Sequence, residues 1–148
     1  MEFHETFTIK APIQQVWDFL WNPRQMLECV PGCEDVEQVD ENNFRVLLKV
    51  KVGFLSANFK AKLSVTEKKP PHFFTSVGTG EDSRLGSLVK QSNTVTLTEL
   101  SPGATEVDLK SEVSMFGKLG TLGYSVIKGK AAKLTEEFAA NVRQRLEK

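Results

Sequence analysis

Between Phe44 and Val65 the chain alternates with a period of two, twice in succession, and this commits the middle of the protein to antiparallel sheet. Phe44, Val46, Leu48, Val50 and Val52 alternate with Arg45, Leu47, Lys49 and Lys51. Ala57, Phe59, Ala61, Leu63 and Val65 then share one face while Asn58, Lys60, Lys62 and Ser64 take the other. The two runs predict a hairpin around Gly53-Phe54-Leu55-Ser56, closed at its far end by Pro70-Pro71. Further strands are predicted around Phe73 to Val77, Leu85 to Leu97 and Thr105 to Met115, with Ser101-Pro102-Gly103 as a turn. A sheet that is apolar on one face needs a cover. After Gly117 the period becomes helical and stays so to the end, predicting one helix of about 25 residues or slightly more. That helix has to cover the apolar face, because nothing else in the chain can.

The start of the chain adds two clipped helices. Pro12 suits a first helical turn, where its missing N–H is not needed, and Ile13, Val16, Trp17 and Leu20 then fall on one face. Asn22 can cap a second helix with Pro23 at its first position, and Pro31-Gly32 must end it within about two turns. No repeat, low-complexity tract or linker interrupts the chain, so residues 1–148 are read as one domain. The expected fold is α+β: a strand, two short helices, a curved antiparallel sheet of about six or seven strands in all, and a long C-terminal helix gripped by it.

Several motifs carry a family resemblance. The order of strand, Ala11-Pro12 with Val16-Trp17, Asn22-Pro23, and Cys29-Val30-Pro31-Gly32-Cys33-Glu34 resembles the carbon monoxide dehydrogenase CoxG family, within the START-like (SRPBCC, Bet v 1-like) helix-grip superfamily. Lys49-Val50-Lys51-Val52-Gly53, Phe59-Lys60-Ala61-Lys62-Leu63, Gly78-Thr79-Gly80 and Gly86-Ser87 resemble its middle strands, and Phe116-Gly117-Lys118-Leu119-Gly120 its entry to the last helix. The resemblance implies a ligand pocket between sheet and helix. It also implies a role accessory to molybdenum-containing carbon monoxide dehydrogenases, in maturation, membrane association or quinone handling. Longer members carry a C-terminal extension that could anchor them to a membrane; this chain is expected to stop at Lys148, directly after its last helix, without that route.

Composition narrows the partners. Nineteen basic residues balance nineteen acidic ones, and no basic run interleaves with aromatics, which argues against nucleic acid. No apolar run approaches the roughly 20 residues of a spanning helix, and Met1-Glu2-Phe3-His4-Glu5 is not a signal sequence. The expectation is a cytoplasmic protein, at most peripheral to a membrane, with no cofactor and no metal.

Helical spacing places Gly120, Gly123, Ile127, Ala131, Leu134, Phe138 and Val142 on the inward stripe of the last helix, small residues first and large ones after. Ala57 and Ala61 are the small inward residues of the sheet. Because glycine costs about 1 kcal/mol in a helix interior, this stripe needs either close backbone packing or a cavity to explain it. The cavity reading gives a lining of Leu48, Val50 and Phe59 from the hairpin, and Val77, Val89, Val113 and Met115 from the later strands. Gly123, Ile127 and Ala131 complete it from the helix. Gln91, Asn93 and Ser111 are the polar residues on otherwise apolar inward faces; each could instead be a strand-end residue facing water. An apolar lining with few neutral hydrogen-bonding groups suits a lipid-like, aromatic or quinone-like small molecule.

Catalytic signals are thin. His4 and His72 lack metal spacing or a nearby nucleophile and read as surface residues. Cys29 and Cys33, the two cysteines, lie four apart with no second pair and read as reduced structural thiols. Glu5 shares a face with Phe3, Phe7 and Ile9, at the rim of the cavity or at an exposed edge. Gly78-Thr79-Gly80 with Gly86 keeps no dinucleotide or phosphate-loop spacing and reads as loop and bulge. The apolar hairpin tip Phe54-Leu55 is open to three readings: a portal flap, a membrane-touching point or a protein contact. The sequence therefore points to a non-enzymatic binding protein, with a cyclase- or hydrolase-type enzyme or a sealed interaction module as the alternatives.

Overall fold

The computed structural model describes residues 1–147; Lys148, the expected end of the chain, lies outside them. One antiparallel sheet of seven strands, numbered in chain order, runs β1-β7-β6-β5-β4-β3-β2. The strands are β1 Glu2–Ile9, β2 Cys33–Gln38, β3 Asn43–Val52, β4 Leu55–Lys69, β5 Phe73–Asp82, β6 Ser87–Ser101 and β7 Ala104–Phe116. Helices α1 Ile13–Leu20 and α2 Pro23–Cys29 follow β1, and α3 Tyr124–Leu146 follows β7. This is the expected α+β helix-grip arrangement. Because β1 and β2 are successive in sequence yet form opposite edges, α1 and α2 must carry the chain across the full width of the sheet.

Local chemistry fixes that crossing. The Asn22 side chain accepts from the Arg24 and Gln25 N–H groups at 3.0 and 3.3 Å, and Pro23 opens α2. Val16, Trp17 and Phe19 of α1 are buried. At Gly32, φ is +79° and an added Cβ would lie 2.1 Å from the Lys49 carbonyl oxygen, so only glycine lets α2 hand over to β2 this close to β3. The edge strand β2 escapes a reading by periodicity because its residues, Cys33 to Gln38, are mostly polar.

Two predicted elements differ. Gly78-Thr79-Gly80 is strand, in the middle of β5, and is not a loop: the Gln91 and Leu63 side chains occupy the space a Cβ at Gly78 would take. The last helix is not continuous from Gly117. A 3-10 turn covers Gly117–Thr121, and α3 begins only after Gly123, its N-cap, at φ +82°. The fully buried Leu119 pegs this turn to the sheet, its N–H donating to the Ser87 hydroxyl at 3.2 Å. Gly120 and Gly123 are therefore turn residues rather than small residues inside a helix.

Once started, α3 follows β1. Phe3 stacks on Tyr124 with centroids 5.9 Å apart, and Phe7 meets Phe138 edge-on at 6.2 Å. The Arg143 Nε–H donates to the Thr8 carbonyl at 3.0 Å, and the Asn141 amide to the Cys29 carbonyl at 2.9 Å. At its start the helix also touches the β3–β4 hairpin, where Gly53 faces Val126 and Leu122. Two apolar clusters result. One joins Ile9, Val16, Trp17, Leu97, Val107 and Val142 beneath α1 and α2. The other joins Val50, Val52, Ala57, Leu119 and Ile127 at the hairpin end.

The buried Asp82 stitches that second end together. Its carboxylate accepts from the N–H groups of Asn58 at 2.7 Å, Arg84 at 3.0 Å and Leu85 at 3.2 Å, while the Arg84 guanidinium donates to the Ser56 carbonyl at 2.7 Å. These donors, the Asn58 N–H foremost, hold the Asp82 carboxyl below its ordinary range. A depressed carboxyl contributes stability above the unfolded value of about 3.9 and loses it as pH falls through the folded value. Asp82→Asn should lower the melting temperature by a constant amount between neutral pH and about pH 5, the gap to wild type closing below about pH 4. Gly117 and Gly123 give a second test by thermal denaturation, since both have positive φ but only Gly117 is crowded, its Cβ falling 1.9 Å from the Gly86 carbonyl oxygen. Gly123→Ala should cost about 1–3 kcal/mol for backbone conformation alone, and Gly117→Ala clearly more.

Candidate functional site

Between the two apolar clusters, the inner face of the sheet carries a band of small and polar side chains. From β1 inward these are Glu5, Ser111 of β7, Gln91 and Asn93 of β6, Ser76 and Gly78 of β5, and Ala61 and Leu63 of β4. Strand register aligns them: Ser76 lies opposite Asn93, Asn93 opposite Ser111, and Gly78 opposite Gln91. A hydrogen-bond ladder follows, the Ser111 hydroxyl donating to Asn93 Oδ1 at 2.8 Å and the Asn93 amide to the Ser76 hydroxyl at 3.3 Å. The inward polar residues Asn93 and Ser111 thus bond to one another across the sheet and are not strand-end groups.

The band points towards α3 without being sealed by it. Glu5, Ala61, Leu63, Gln91, Asn93 and Ser111 are all half-buried, although each is on the inner face. Close packing of a helix on this part of the sheet would bury them fully, as it does Ile127 and Val142 at the two ends. The inner face between the two clusters is thus only partly covered by α3.

Leu48, Val50, Phe59, Val89, Met115 and Ile127 come together in the hairpin-end cluster, forming one wall with Val113 also buried nearby. Ala131 is half-buried on α3. Val77 does not join them: it lies on the outer face, 45% exposed, because Ser76, Gly78 and Gly80 take the inner positions of β5 and reverse the usual link between hydrophobicity and burial. Gly123 is exposed at the N-cap of α3, with open space around its would-be Cβ. Of the proposed portal pair, Phe54 is 83% exposed, whereas Leu55 is paired with Val52 and packs into the hairpin-end cluster.

The opposite wall has no counterpart in the sequence reading. Trp21 sits 5.0 Å from Phe74, 5.4 Å from Trp17 and 6.4 Å from Phe44, ring centroid to ring centroid, with the Lys68 ammonium 4.5 Å above it. Its buried indole N–H has no hydrogen-bond partner among the described residues. The period-two spacing of Ser76, Gly78 and Gly80 was the available signal for the floor; nothing in the sequence signals that the Trp21 N–H is unpaired. Two other recesses, about 320 and 270 Å³, are shallow grooves on the outer face, bordered by residues such as Arg45, Lys60 and Lys62 or Lys90 and Glu112. No second layer encloses them.

The remaining chemistry lies elsewhere. His4 faces outward and hydrogen-bonds Asp108, which with Thr6 holds the Asp108 carboxyl below its usual range. His72 is exposed in the β4–β5 turn. Cys29 and Cys33 are both free, and burial pushes both thiols up, away from the reactive thiolate. Among the described residues no group of His, Cys, Asp or Glu has metal-site geometry, and no helix is long and apolar enough to cross a membrane.

A seven-stranded antiparallel sheet around one long helix, with two short helices closing one end, is the START-like helix-grip fold. A structure of a conserved protein from Geobacillus kaustophilus superposes with a TM-score of 0.91 at 20% identity, covering 99% of this chain and 95% of that one. A START superfamily protein from Mycobacterium smegmatis gives 0.74 at 12% identity, over 99% and 97%, and the Zhui aromatase/cyclase from Streptomyces sp. R1128 gives 0.65 at 15%, over 99% and 90%. Comparison with curated protein sequences finds no match. The profile of the carbon monoxide dehydrogenase CoxG family matches residues 6–147, and the chain belongs to that family.

The ladder itself can be tested by denaturant unfolding. Asn93→Ala strands the Ser76 and Ser111 hydroxyls and should cost about 1–2 kcal/mol, whereas the triple change Ser76→Ala, Asn93→Leu, Ser111→Ala removes all partners together and should cost less.

Proposed function

We propose that the protein is a non-enzymatic carrier of an apolar small molecule, lipid-, aromatic- or quinone-like, held between sheet and α3. The observation that carries this reading is the half-buried inner band, apolar at both ends and hydrogen-bonding only in the middle. Such a floor solvates an elongated apolar molecule with one neutral polar group, the Gln91 amide being the ladder's neighbour with no partner among the described hydrogen bonds. Family membership supports a role beside a molybdenum-containing carbon monoxide dehydrogenase-type enzyme, in its maturation, its membrane association or quinone handling. Carriage is favoured over cyclase chemistry because the band offers one carboxylate, Glu5, and both histidines lie outside it.

Native mass spectrometry of the purified protein followed by organic extraction tests the reading: a co-purified apolar molecule is expected, and a clean mass that stays unchanged after incubation with quinones and fatty acids would refute it. Ala131→Phe places a large ring beneath α3 and should weaken uptake of the neutral probe N-phenyl-1-naphthylamine about tenfold or more, with the melting temperature little changed; equal uptake would locate the site elsewhere.

A further inference from the structure

Position 21 lies in an aromatic nest that a phenylalanine would fill. Phe74, Trp17 and Phe44 surround the Trp21 ring, and the Lys68 ammonium lies 4.5 Å above it. Aromatic faces accept hydrogen bonds only weakly and an ammonium not at all, so none of these four neighbours satisfies the indole N–H. Among the described residues that N–H is buried and unpaired. Leaving a buried donor unmet is costly, yet the chain keeps an indole here. Contacts from α1, β3, β4 and β5 fix the plane of the ring, and with it the direction of the N–H.

Register sets this ring beside the inner band. Phe74 and the buried Ser76 are successive inner positions of β5, and Phe44 opens a row that continues through Leu63 and Gly78 to Gln91. Along that row the Gln91 side chain turns back over β5: a Cβ at Gly78 would lie 3.2 Å from Gln91 Nε2 and 3.3 Å from Leu63 Cδ1. Trp21 and the Gln91 amide, neither with a partner among the described hydrogen bonds, thus flank one strip of β4 and β5 from opposite sides.

We propose that Trp21 is a specificity-determining residue, a role that rests on the carriage proposed above: its indole N–H donates to a neutral oxygen acceptor, such as a carbonyl, on the bound apolar molecule. This gives the binding a direction. The polar end of the molecule lies at the α1–α2 wall, between Trp21 and Gln91, and its apolar remainder extends towards the hairpin. A carboxylate is the poorer fit, because an anion held here needs a cation, and Lys68 is already engaged by the indole face and by Glu41 at 3.8 Å.

Two fluorescent naphthalenes test it: Prodan, which carries a ketone, and N-phenyl-1-naphthylamine, which has no oxygen. The chain has two tryptophans, so a nitrogen-labelled sample gives two indole N–H signals, that of Trp21 assigned through its own backbone. Bound Prodan is expected to move the Trp21 signal downfield, as a new acceptor does, and N-phenyl-1-naphthylamine is not. Trp21→Phe should weaken Prodan binding about tenfold and N-phenyl-1-naphthylamine binding less than about twofold. Equal losses for the two probes would make residue 21 a packing residue and overturn the proposal. A Trp21 signal unmoved by bound Prodan would overturn it too, and that spectrum is recorded on the unmutated protein, whatever the variant does to folding. If neither probe binds, carriage fails and this role with it; if both bind and the signal stays, this role alone fails.

Discussion

One helix has to cover seven strands, and the rest of the structure follows from that mismatch. Six inter-strand spacings make a sheet about 29 Å wide, whereas a helix with its side chains is about 10–12 Å across. A flat sheet would leave most of its apolar face in water. Curving the sheet around α3 brings β1 and β3 against the helix but holds the middle strands away from it, so the geometry that protects the core also leaves space over β5 and β6. The ends of that space need separate covers. The α1–α2 crossing supplies one and the hairpin with the 3-10 turn the other, which is why the core divides into two clusters.

The inner band is the consequence of this division. Residues above which no helix sits need not be large, and β5 presents Ser76, Gly78 and Gly80 there. Polar groups are tolerated there provided they satisfy each other, and the buried Ser76 with the half-buried Asn93 and Ser111 do so through strand register. A fully packed core would have made such a ladder costly. Among the described residues, the Trp21 N–H at the opposite wall is a buried side-chain donor left without a hydrogen bond.

Much of this is legible in the chain. Alternation marks β3 and β4 with the correct faces, the Asn22-Pro23 pair marks α2, and the inward direction of Gln91, Asn93 and Ser111 comes from period-two counting alone. Errors fall where hydrophobicity and burial part company. Val77 reads as inward because it is apolar, but its glycine neighbours hold the inner positions. Gly120 and Gly123 fit a helical stripe by spacing, although positive φ at Gly123 and the close approach of Gly120 to the Met115 carbonyl make them turn residues. The polar strand β2 shows no alternation strong enough to recognise.

By itself the sequence determined the local periods, the caps, the element order and the family, since each depends on neighbours a few residues apart or on motifs that survive as short strings. Tertiary structure decided what those elements enclose: which glycines are crowded, and that Trp21 is left without a partner among the described residues. These depend on contacts between residues tens of positions apart, whose geometry is set only when the sheet closes around its helix.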